Sequence, residues 1–350
     1  MQAFILALFL FGNITLQQGS IQVNQLSVSY TFGKEINLTA QIQSGDPVDE
    51  VRVYLQPEGG NVFAGYAFPD QHGQVSYKFD LATQPFPPFS KVNAWLTVKS
   101  RGDEATTLPS TFVYADNRFD WKTSEANGVT LHWYGSDAGL QTLLTEITGE
   151  SLAGISRFIQ ASNPNPKDVY IYASRPDFEA ALRYTGLASI SGYSFPEIGT
   201  SLVLSEPGET QASLLKQQIP HELMHLTLFE NYPDAYAKFP SWLVEGLASA
   251  VELSPDSSYE SILKNRASTR SLIPIQDLCA TFPREHESFL LAYAESRAFV
   301  QYLYSLDGSA GLQRALQAYQ SGSGCASGAQ QAYTVSLDQL DQRWQAVLQA

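Results

Sequence analysis

The chain has 350 residues, of which 44% are hydrophobic and 12% aromatic. This composition supplies hydrophobic cores for two domains or one large one, and it excludes an intrinsically disordered protein. The formal net charge of −14 at pH 7 argues against nucleic acid or an anionic membrane as a partner, because both are polyanionic. Only 16% of the residues are charged, and a surface rich in uncharged polar groups is in keeping with an extracytoplasmic protein.

The N-terminal region contains a short apolar run at residues 3–11. It is too short to span a bilayer and has the character of a signal-peptide core, so we predict a signal peptide at residues 1–19. The run lacks a preceding positive charge and a clear cleavage site, which leaves a buried strand as the alternative. A signal peptide would make the protein secreted or attached to the cell surface. No other stretch is long and apolar enough to cross a membrane.

Residues 20–117 contain short alternating segments separated by turn residues, which predicts an all-β domain. The predicted strands are Ile21–Tyr30, Ile36–Ile42, Val51–Leu55, Val62–Phe68, Val75–Phe79, Val92–Val98 and Ser110–Tyr114. Seven strands over about 95 residues are typical of an immunoglobulin-like sandwich, here without the antibody-type pair of core cysteines. Such a domain is either a spacer, which we favour, or a module that binds a partner or a carbohydrate.

The hydrophobic period changes after residue 117, and we assign residues 118–350 to a second, α+β domain with a helical C-terminal lobe. The predicted strands are Val129–Tyr134, Val169–Ala173 and Thr200–Leu204, with helices over residues 137–162 and 174–182. A long helical pattern covers Glu209–Phe229. The helices predicted after it are Trp242–Leu253, Tyr259–Arg266, Phe289–Leu306, Ala310–Tyr319 and Leu337–Leu348. The predicted fold class is therefore multidomain, with an all-β sandwich followed by an α+β domain.

The long helical pattern carries an H-E-x-x-H motif at residues 221–225. Residues i and i+4 share one face of a helix, so His221 and His225 can bind one metal ion while Glu222 lies beside it. A catalytic zinc needs a third protein ligand and an open position, and Glu245 in the next predicted helix is the natural candidate. We therefore predict a Zn²⁺ site with Glu222 as the general base. Pro220, just before the motif, predicts a kink or the start of a new helix.

The motif and the segment Trp-Leu-Val-Glu-Gly-Leu-Ala-Ser at residues 242–249 together resemble the gluzincin metallopeptidases of the Peptidase MA-like group. The second segment is similar to W-L-x-E-G-x-A of aminopeptidase-N-like enzymes. The resemblance implies a zincin-type catalytic domain, zinc-dependent hydrolysis of peptide bonds, and a peptide or protein substrate. The G-x-M-E-N element of those aminopeptidases is absent, which favours an endopeptidase over an aminopeptidase.

A third interpretation is a surface binding protein whose peptidase-like domain is inactive. The presence of His221, Glu222, His225 and Glu245 together argues against it, because an idle site has no need of all four. The pattern does not indicate an oligomeric state.

The resemblance also implies roles for residues outside the motif. Gluzincins commonly stabilise the oxyanion with a Tyr or His from the helical lobe, which makes Tyr293 our first candidate, with His286 and Tyr193 as alternatives. Zincin domains place a sheet beside the motif helix, and Ser201–Leu204 is the expected edge strand for an extended substrate.

Ligating histidines usually donate their second N–H group to a carboxylate or a carbonyl. Some gluzincins place an acidic residue one turn after the ligand glutamate, and this chain has Ser249 there. Asp234, Glu230 and Glu252 are the candidates to replace it.

The chain contains two cysteines, Cys279 and Cys325. Neither belongs to a C-x-x-C pair, which argues against zinc binding by them. In an exported protein they can pair, and we favour a disulfide between them.

Overall fold

The computed structural model describes residues 7–9, 16–18, 21–135, 139–159, 165–186 and 190–349. The chain divides into two compact units: Met1–Trp121 with Pro176–Ser189, and Lys122–Arg175 with Ile190–Ala350. Among the residues described, no helix has both the length and the hydropathy needed to cross a membrane.

The first unit is a sandwich of two antiparallel sheets. Its strands are β1 (Ala7–Phe9), β2 (Leu16–Gln18), β3 (Ile21–Thr31), β4 (Glu35–Ser44), β5 (Glu50–Pro57), β6 (Phe63–Ala67), β7 (Gln74–Asp80), β8 (Lys91–Ser100), β9 (Asp103–Thr106) and β10 (Ser110–Val113). One sheet has the order β1-β3-β4-β7 with β2 also paired to β3, and the other has the order β10-β8-β5-β6 with β9 paired to β8. The chain changes sheets after β4, β6 and β7, as expected of a Greek-key sandwich. This architecture confirms the predicted immunoglobulin-like class, and β9 is the strand of the second sheet that the sequence pattern did not indicate.

The alternation of apolar residues along each strand explains why this segment forms a sandwich. Residues alternate between half-buried and buried along β4 and β5, because successive side chains point to opposite faces of a sheet. The buried side chains of the two sheets, such as Leu38, Leu55 and Leu96, form the core. Tyr30 is buried in this core and donates a hydrogen bond from its hydroxyl to the carbonyl oxygen of Val113 at 3.2 Å.

The predicted signal peptide at residues 1–19 lies mostly outside the described residues. Within it, β1 pairs antiparallel with β3 at Ala7 opposite Tyr30, and β2 pairs with β3 at Leu16 opposite Val23. A strand in this region is the alternative that the sequence left open, and the signal peptide stays a prediction.

The second unit is built on a five-stranded mixed sheet with the order β11-β12-β13-β15-β14. Its first elements are β11 (Lys122–Ala126), β12 (Val129–Trp133), α1 (Leu140–Phe158), β13 (Lys167–Tyr172), β14 (Gly192–Phe195) and β15 (Thr200–Leu204). The helix α2 (Arg175–Leu182) follows β13 in the chain, and from Pro176 on it is assigned to the first unit. Strands β12, β13 and β15 are parallel, while β11 and β14 run antiparallel at the two edges.

The expectation that Ser201–Leu204 forms the edge of the sheet is wrong. Strand β14 pairs with β15 and covers it, so β14 is the edge strand. The sequence did not reveal β14 because Gly192–Phe195 lies in a segment rich in Gly, Ser and Tyr that reads as a loop. Strand β11 was missed for a similar reason, since Lys122–Ala126 is short and mostly polar.

The rest of the second unit is helical. Its helices are α3 (Gln211–Asn231), α4 (Ser241–Ala250), α5 (Ser258–Ser268), α6 (His286–Gln320), α7 (Cys325–Tyr333) and α8 (Leu337–Leu348). Helix α6 joins two predicted helices across a kink at Asp307 and Gly308, where the glycine has φ of +57°. Only glycine adopts this conformation at little cost. The buried rings of Trp242, Phe299 and Trp344 join α4, α6 and α8 in one core.

The two cysteines form a disulfide, Cys279–Cys325, as predicted. The backbone N–H of Ser241 donates to the carbonyl of Cys279 at 2.9 Å. The indole N–H of Trp242 points to Sγ of Cys325 at 3.3 Å. The disulfide therefore lies against the first turn of α4.

Candidate metal centre

Helix α3 brings the motif residues together at the centre of the second unit. His221, Glu222 and His225 are buried, with 8%, 4% and 8% of their surface exposed. The helix continues through Pro220 as one element, so the predicted start of a new helix at that point is wrong. Since the helix is continuous, the two imidazoles lie one turn apart on the same face, with ring centroids separated by 5.0 Å.

Helix α4 supplies the third predicted ligand. Oε2 of Glu245 lies 3.4 Å from Nε2 of His221 and 3.7 Å from Nε2 of His225. One donor atom from each residue falls within 4.8 Å of the other two. Oε2 of Glu245 is buried and has no hydrogen-bond partner among the described residues. Two imidazole nitrogens and a carboxylate oxygen that converge in this way fit a catalytic Zn²⁺ ion, which also explains the unpartnered oxygen.

A second side chain contacts Nδ1 of each histidine. Nδ1 of His221 lies 3.0 Å from Oε1 of Glu252, one of the three acidic residues considered from the sequence. Of the other two, Glu230 pairs with Lys167 at 2.6 Å, and Asp234 is exposed. Nδ1 of His225 faces a tyrosine: the hydroxyl of Tyr236 lies at 3.0 Å. Both contacts leave Nε2 turned toward Glu245, as metal binding through Nε2 requires.

Tyr236 was not anticipated from the sequence. It lies in a short 3-10 helix, Tyr236–Lys238, between α3 and α4. Its ring packs edge-on against Phe229 with centroids 5.7 Å apart. The tyrosine has no characteristic spacing from His225, and the chain contains eighteen tyrosines, so the sequence carries no signal that singles it out.

The electrostatics of the two histidines differ. Burial lowers the pKa of His225 to about 4, which keeps its imidazole neutral and available as a ligand. Burial also acts to lower the pKa of His221, but the nearby carboxylates of Glu245 and Glu252 outweigh it and raise that pKa well above its ordinary value. Zinc binding at His221 is therefore expected to release a proton.

Glu222 lies next to the edge strand. The hydroxyl of Ser194 on β14 donates to Oε2 of Glu222 at 2.6 Å and lies 2.8 Å from the hydroxyl of Ser201 on β15. A Cβ atom at Gly192 would lie 2.2 Å from Oε1 of Glu222, so any side chain at this position would displace the carboxylate. Burial raises the pKa of Glu222 to about 7, against the lowering effects of His221 and Ser194. A carboxylate with this pKa can take up and release a proton near neutral pH.

The three candidates for the oxyanion donor lie in different surroundings. Tyr293 on α6 has its ring centroid 6.1 Å from that of His221, and the rings of Phe282 and Phe289 pack edge-on against it. Burial and the charge of Glu245 raise the pKa of Tyr293 well above its ordinary value, so its hydroxyl stays protonated. His286 is exposed at the start of α6.

Tyr193 lies on β14, beside Ser194. Burial raises its pKa, and so do the charges of Glu197 and Glu222. The structure thus places two of the three candidates, Tyr293 and Tyr193, within electrostatic range of the centre.

Comparison with known proteins supplies a family for this arrangement. The family model of the Peptidase MA superfamily matches residues 148–350, which contain all the residues of the centre. No curated protein matches the chain.

Several solved structures are similar at low identity. An M1 zinc metallopeptidase from Deinococcus radiodurans is 15% identical, with 91% of this chain and 89% of that chain covered and a TM-score of 0.40. An aminopeptidase N family protein from Idiomarina loihiensis is 9% identical, with 90% of this chain and 68% of that chain covered and a TM-score of 0.37. At these TM-scores the similarity does not bear on function, and the assignment rests on the family model, which matches more than half of the chain. The protein belongs to the Peptidase MA superfamily and is a zinc metallopeptidase of the gluzincin type.

Proposed function

We propose that this metallopeptidase cleaves internal peptide bonds, with one Zn²⁺ ion held by His221, His225 and Glu245. The observation that carries the proposal is the convergence of three donor atoms within 4.8 Å, from two buried histidines and the half-buried Glu245, whose Oε2 has no hydrogen-bond partner in the part of the chain that the structure describes. Bound there, zinc supplies Lewis-acid chemistry that polarises the scissile carbonyl and makes a water molecule acidic near neutral pH. The residues of the chain place the substrate and move the proton.

Glu222 is the proposed general base. Its carboxylate takes a proton from the attacking water and gives it to the amine that leaves, and a pKa of about 7 suits both transfers at neutral pH. Ser194 holds one carboxylate oxygen through the hydrogen bond at 2.6 Å. The carboxylate therefore keeps one orientation through the reaction.

Tyr293 is the proposed oxyanion donor. Its hydroxyl stays protonated because burial and the charge of Glu245 raise its pKa, and its ring is fixed between Phe282 and Phe289. A fixed, neutral O–H donor beside the metal ligands meets the requirement of a preorganised oxyanion site. The exposed position of His286 gives it no comparable contact, and Tyr193 is the second candidate.

Strand β14 is the proposed docking edge for the substrate. It pairs with β15 on one side, and no strand within the described part of the sheet pairs with its other side. An extended peptide can add to such an edge through main-chain hydrogen bonds. Because Ser194 of the same strand touches Glu222, a peptide bound there runs past the general base.

An aminopeptidase is the second candidate function, and one side chain favours it. Glu197 is exposed in the turn Pro196–Ile198, directly after β14. The pKa of Tyr236, which burial and the charges of Glu245 and Glu222 raise, is raised further by the charge of Glu197. Since Tyr236 contacts His225, Glu197 is within electrostatic range of the centre and can attract a free amino group.

Peptides with free and with acetylated N-termini distinguish the two functions. An endopeptidase cleaves both forms at the same internal bond, and Glu197→Gln changes neither rate. An aminopeptidase removes single residues from the free form alone, and Glu197→Gln raises its KM.

Elemental analysis of the wild type beside His225→Ala comes first: about one zinc per chain without turnover of any peptide would leave a binding protein with an inactive centre.

We also propose that the protein works outside the cytoplasm, either secreted or at the cell surface. The disulfide Cys279–Cys325 supports this location, since structural disulfides persist in oxidising compartments. Fractionation of the producing cells, with a thiol-reactive probe to report the two cysteines, tests the proposal. Reduced protein confined to the cytoplasm would refute it.

A further inference from the structure

Pro220 interrupts the hydrogen bonding of α3 at one carbonyl. Proline has no N–H group, so the carbonyl oxygen of Lys216, four residues earlier, has no donor within the helix. Two backbone amides from outside the helix take its place: Leu253 N donates to Lys216 O at 2.9 Å, and Ser254 N donates at 3.4 Å. Both lone pairs of this carbonyl are therefore used by the segment that follows α4.

The same segment carries the side chain that holds His221. Helix α4 ends at Ala250, and Glu252 lies just beyond it, next to Leu253. Oε1 of Glu252 lies 3.0 Å from Nδ1 of His221, and His221 directly follows Pro220 in the chain. A further contact on the far side, between the hydroxyls of Ser213 and Ser254 at 2.9 Å, keeps the segment along α3.

These contacts connect Pro220 to His221 through the segment that follows α4. The proline frees the carbonyl of Lys216, that carbonyl holds Leu253, and Leu253 places the neighbouring Glu252 against His221. The Glu252 side chain is 2% exposed, so solvent does not compete for its contact with His221. Proline is unfavourable inside a helix, so any advantage of Pro220 has to come from contacts outside α3.

We propose that Pro220 is a positioning residue of the metal centre. Because Pro220 has no N–H group, the carbonyl oxygen of Lys216 stays available to the amide of Leu253. This contact in turn fixes Glu252 against Nδ1 of His221. The proposal rests on the zinc centre proposed above. An alanine at this position would supply a competing N–H inside the helix, release the segment after α4, and loosen the hydrogen bond that orients His221.

The test is the zinc dissociation constant of Pro220→Ala, measured by competition with a chromogenic chelator. We expect zinc binding to weaken about tenfold, the low end of the effect of losing an outer partner of a ligating histidine. The melting temperature of the metal-free variant is expected to be equal to or above that of the wild type, because proline is unfavourable inside a helix. If the role of Pro220 were purely structural, Pro220→Ala would lower the zinc affinity and the melting temperature together.

A double-mutant cycle with Glu252→Gln shows whether the effect passes through Glu252. In the Glu252→Gln background, Pro220→Ala is expected to change zinc affinity by less than about twofold, since the contact it acts on is already lost. Hydrogen exchange of the Leu253 amide gives a direct readout that needs no metal: it is expected to be slow in the wild type and faster in Pro220→Ala. Gln217→Ala, a change of a half-buried side chain on the same helix, is the matched control.

Zinc affinity of Pro220→Ala within about twofold of the wild type would overturn the proposal. So would an undiminished effect in the Glu252→Gln background, or unchanged exchange of the Leu253 amide. If the wild type itself bound no zinc, the metal centre would be refuted, and the exchange experiment would still report on the link between Pro220 and Leu253.

Discussion

Glu295 is a carboxyl group on α6 with no exposed surface. Its Oε1 accepts a hydrogen bond from the backbone N–H of Ile273 at 2.9 Å, and its Oε2 has no partner among the residues that the structure describes. Burial raises the pKa of Glu295 to about 8, against the lowering effect of the Ile273 hydrogen bond, and the charge of Asp341 raises it further. The side chain takes no part in the metal centre, so its effect on stability can be measured separately from catalysis.

The raised pKa makes stability depend on pH in a defined direction. Because the folded state binds the proton more tightly than the unfolded chain, the free energy of unfolding is highest below pH 4.5 and falls until the pH passes the folded pKa near 8. Each unit of pKa difference is worth about 1.4 kcal/mol, so Glu295 costs the fold about 5 kcal/mol over this range and about 3 kcal/mol at pH 7.

Glu295→Gln removes the titration while keeping a carbonyl oxygen for Ile273. We expect the free energy of unfolding of the variant to fall less steeply between pH 5 and pH 8 than that of the wild type, by about 3 kcal/mol. Urea unfolding of the metal-free proteins, followed through the circular dichroism of the helices, measures this difference at each pH. Glu260→Gln, a change of an exposed side chain on α5, is the control and should follow the wild type. Parallel curves for the wild type and Glu295→Gln would refute the reasoning.

Three further predictions concern the metal centre. Glu222→Gln should keep zinc but lower kcat at least about a hundredfold, the usual contribution of a general base, and a variant that kept its rate would exclude that role. Gly192→Ala should lower kcat with zinc content unchanged, because the new Cβ would lie 2.2 Å from Oε1 of Glu222; Gly154→Ala, which has open space on α1, should leave kcat unchanged. Tyr236→Phe should weaken zinc binding about tenfold in chelator competition by removing the partner of Nδ1 of His225, whereas an effect equal to that of Tyr232→Phe would show that the hydroxyl is dispensable.

The zinc ligands could be predicted because local geometry determines two of them. The spacing of His221 and His225 places both rings on one face of any helix that contains them. Glu245 required one further step, a second helix that returns to the first, and the apolar pattern around it indicated that helix. The strands of the sandwich were predicted for the same kind of reason, since alternation is a local property of the chain.

Contacts between distant segments were not accessible from the sequence. Ser194 and Tyr236 reach Glu222 and His225 from short elements whose composition is that of a loop. Pro220 was interpreted as a kink or the start of a new helix because its effect inside α3 was judged from the helix alone. In the fold the helix continues through Pro220, and Leu253, from the segment after α4, donates to the freed carbonyl.

The four residues of β14 serve two purposes that many enzymes assign to separate elements. Gly192 and Ser194 set the position of Glu222, and the same strand is the open edge of the sheet. If the substrate docks as proposed, a peptide that pairs well with this edge would make the strand and Glu222 more rigid, whereas a poorly matched peptide would leave both mobile. We therefore expect selectivity to be expressed in the rate of turnover as well as in affinity, so that weakly bound peptides are also slowly cut even at saturating concentration.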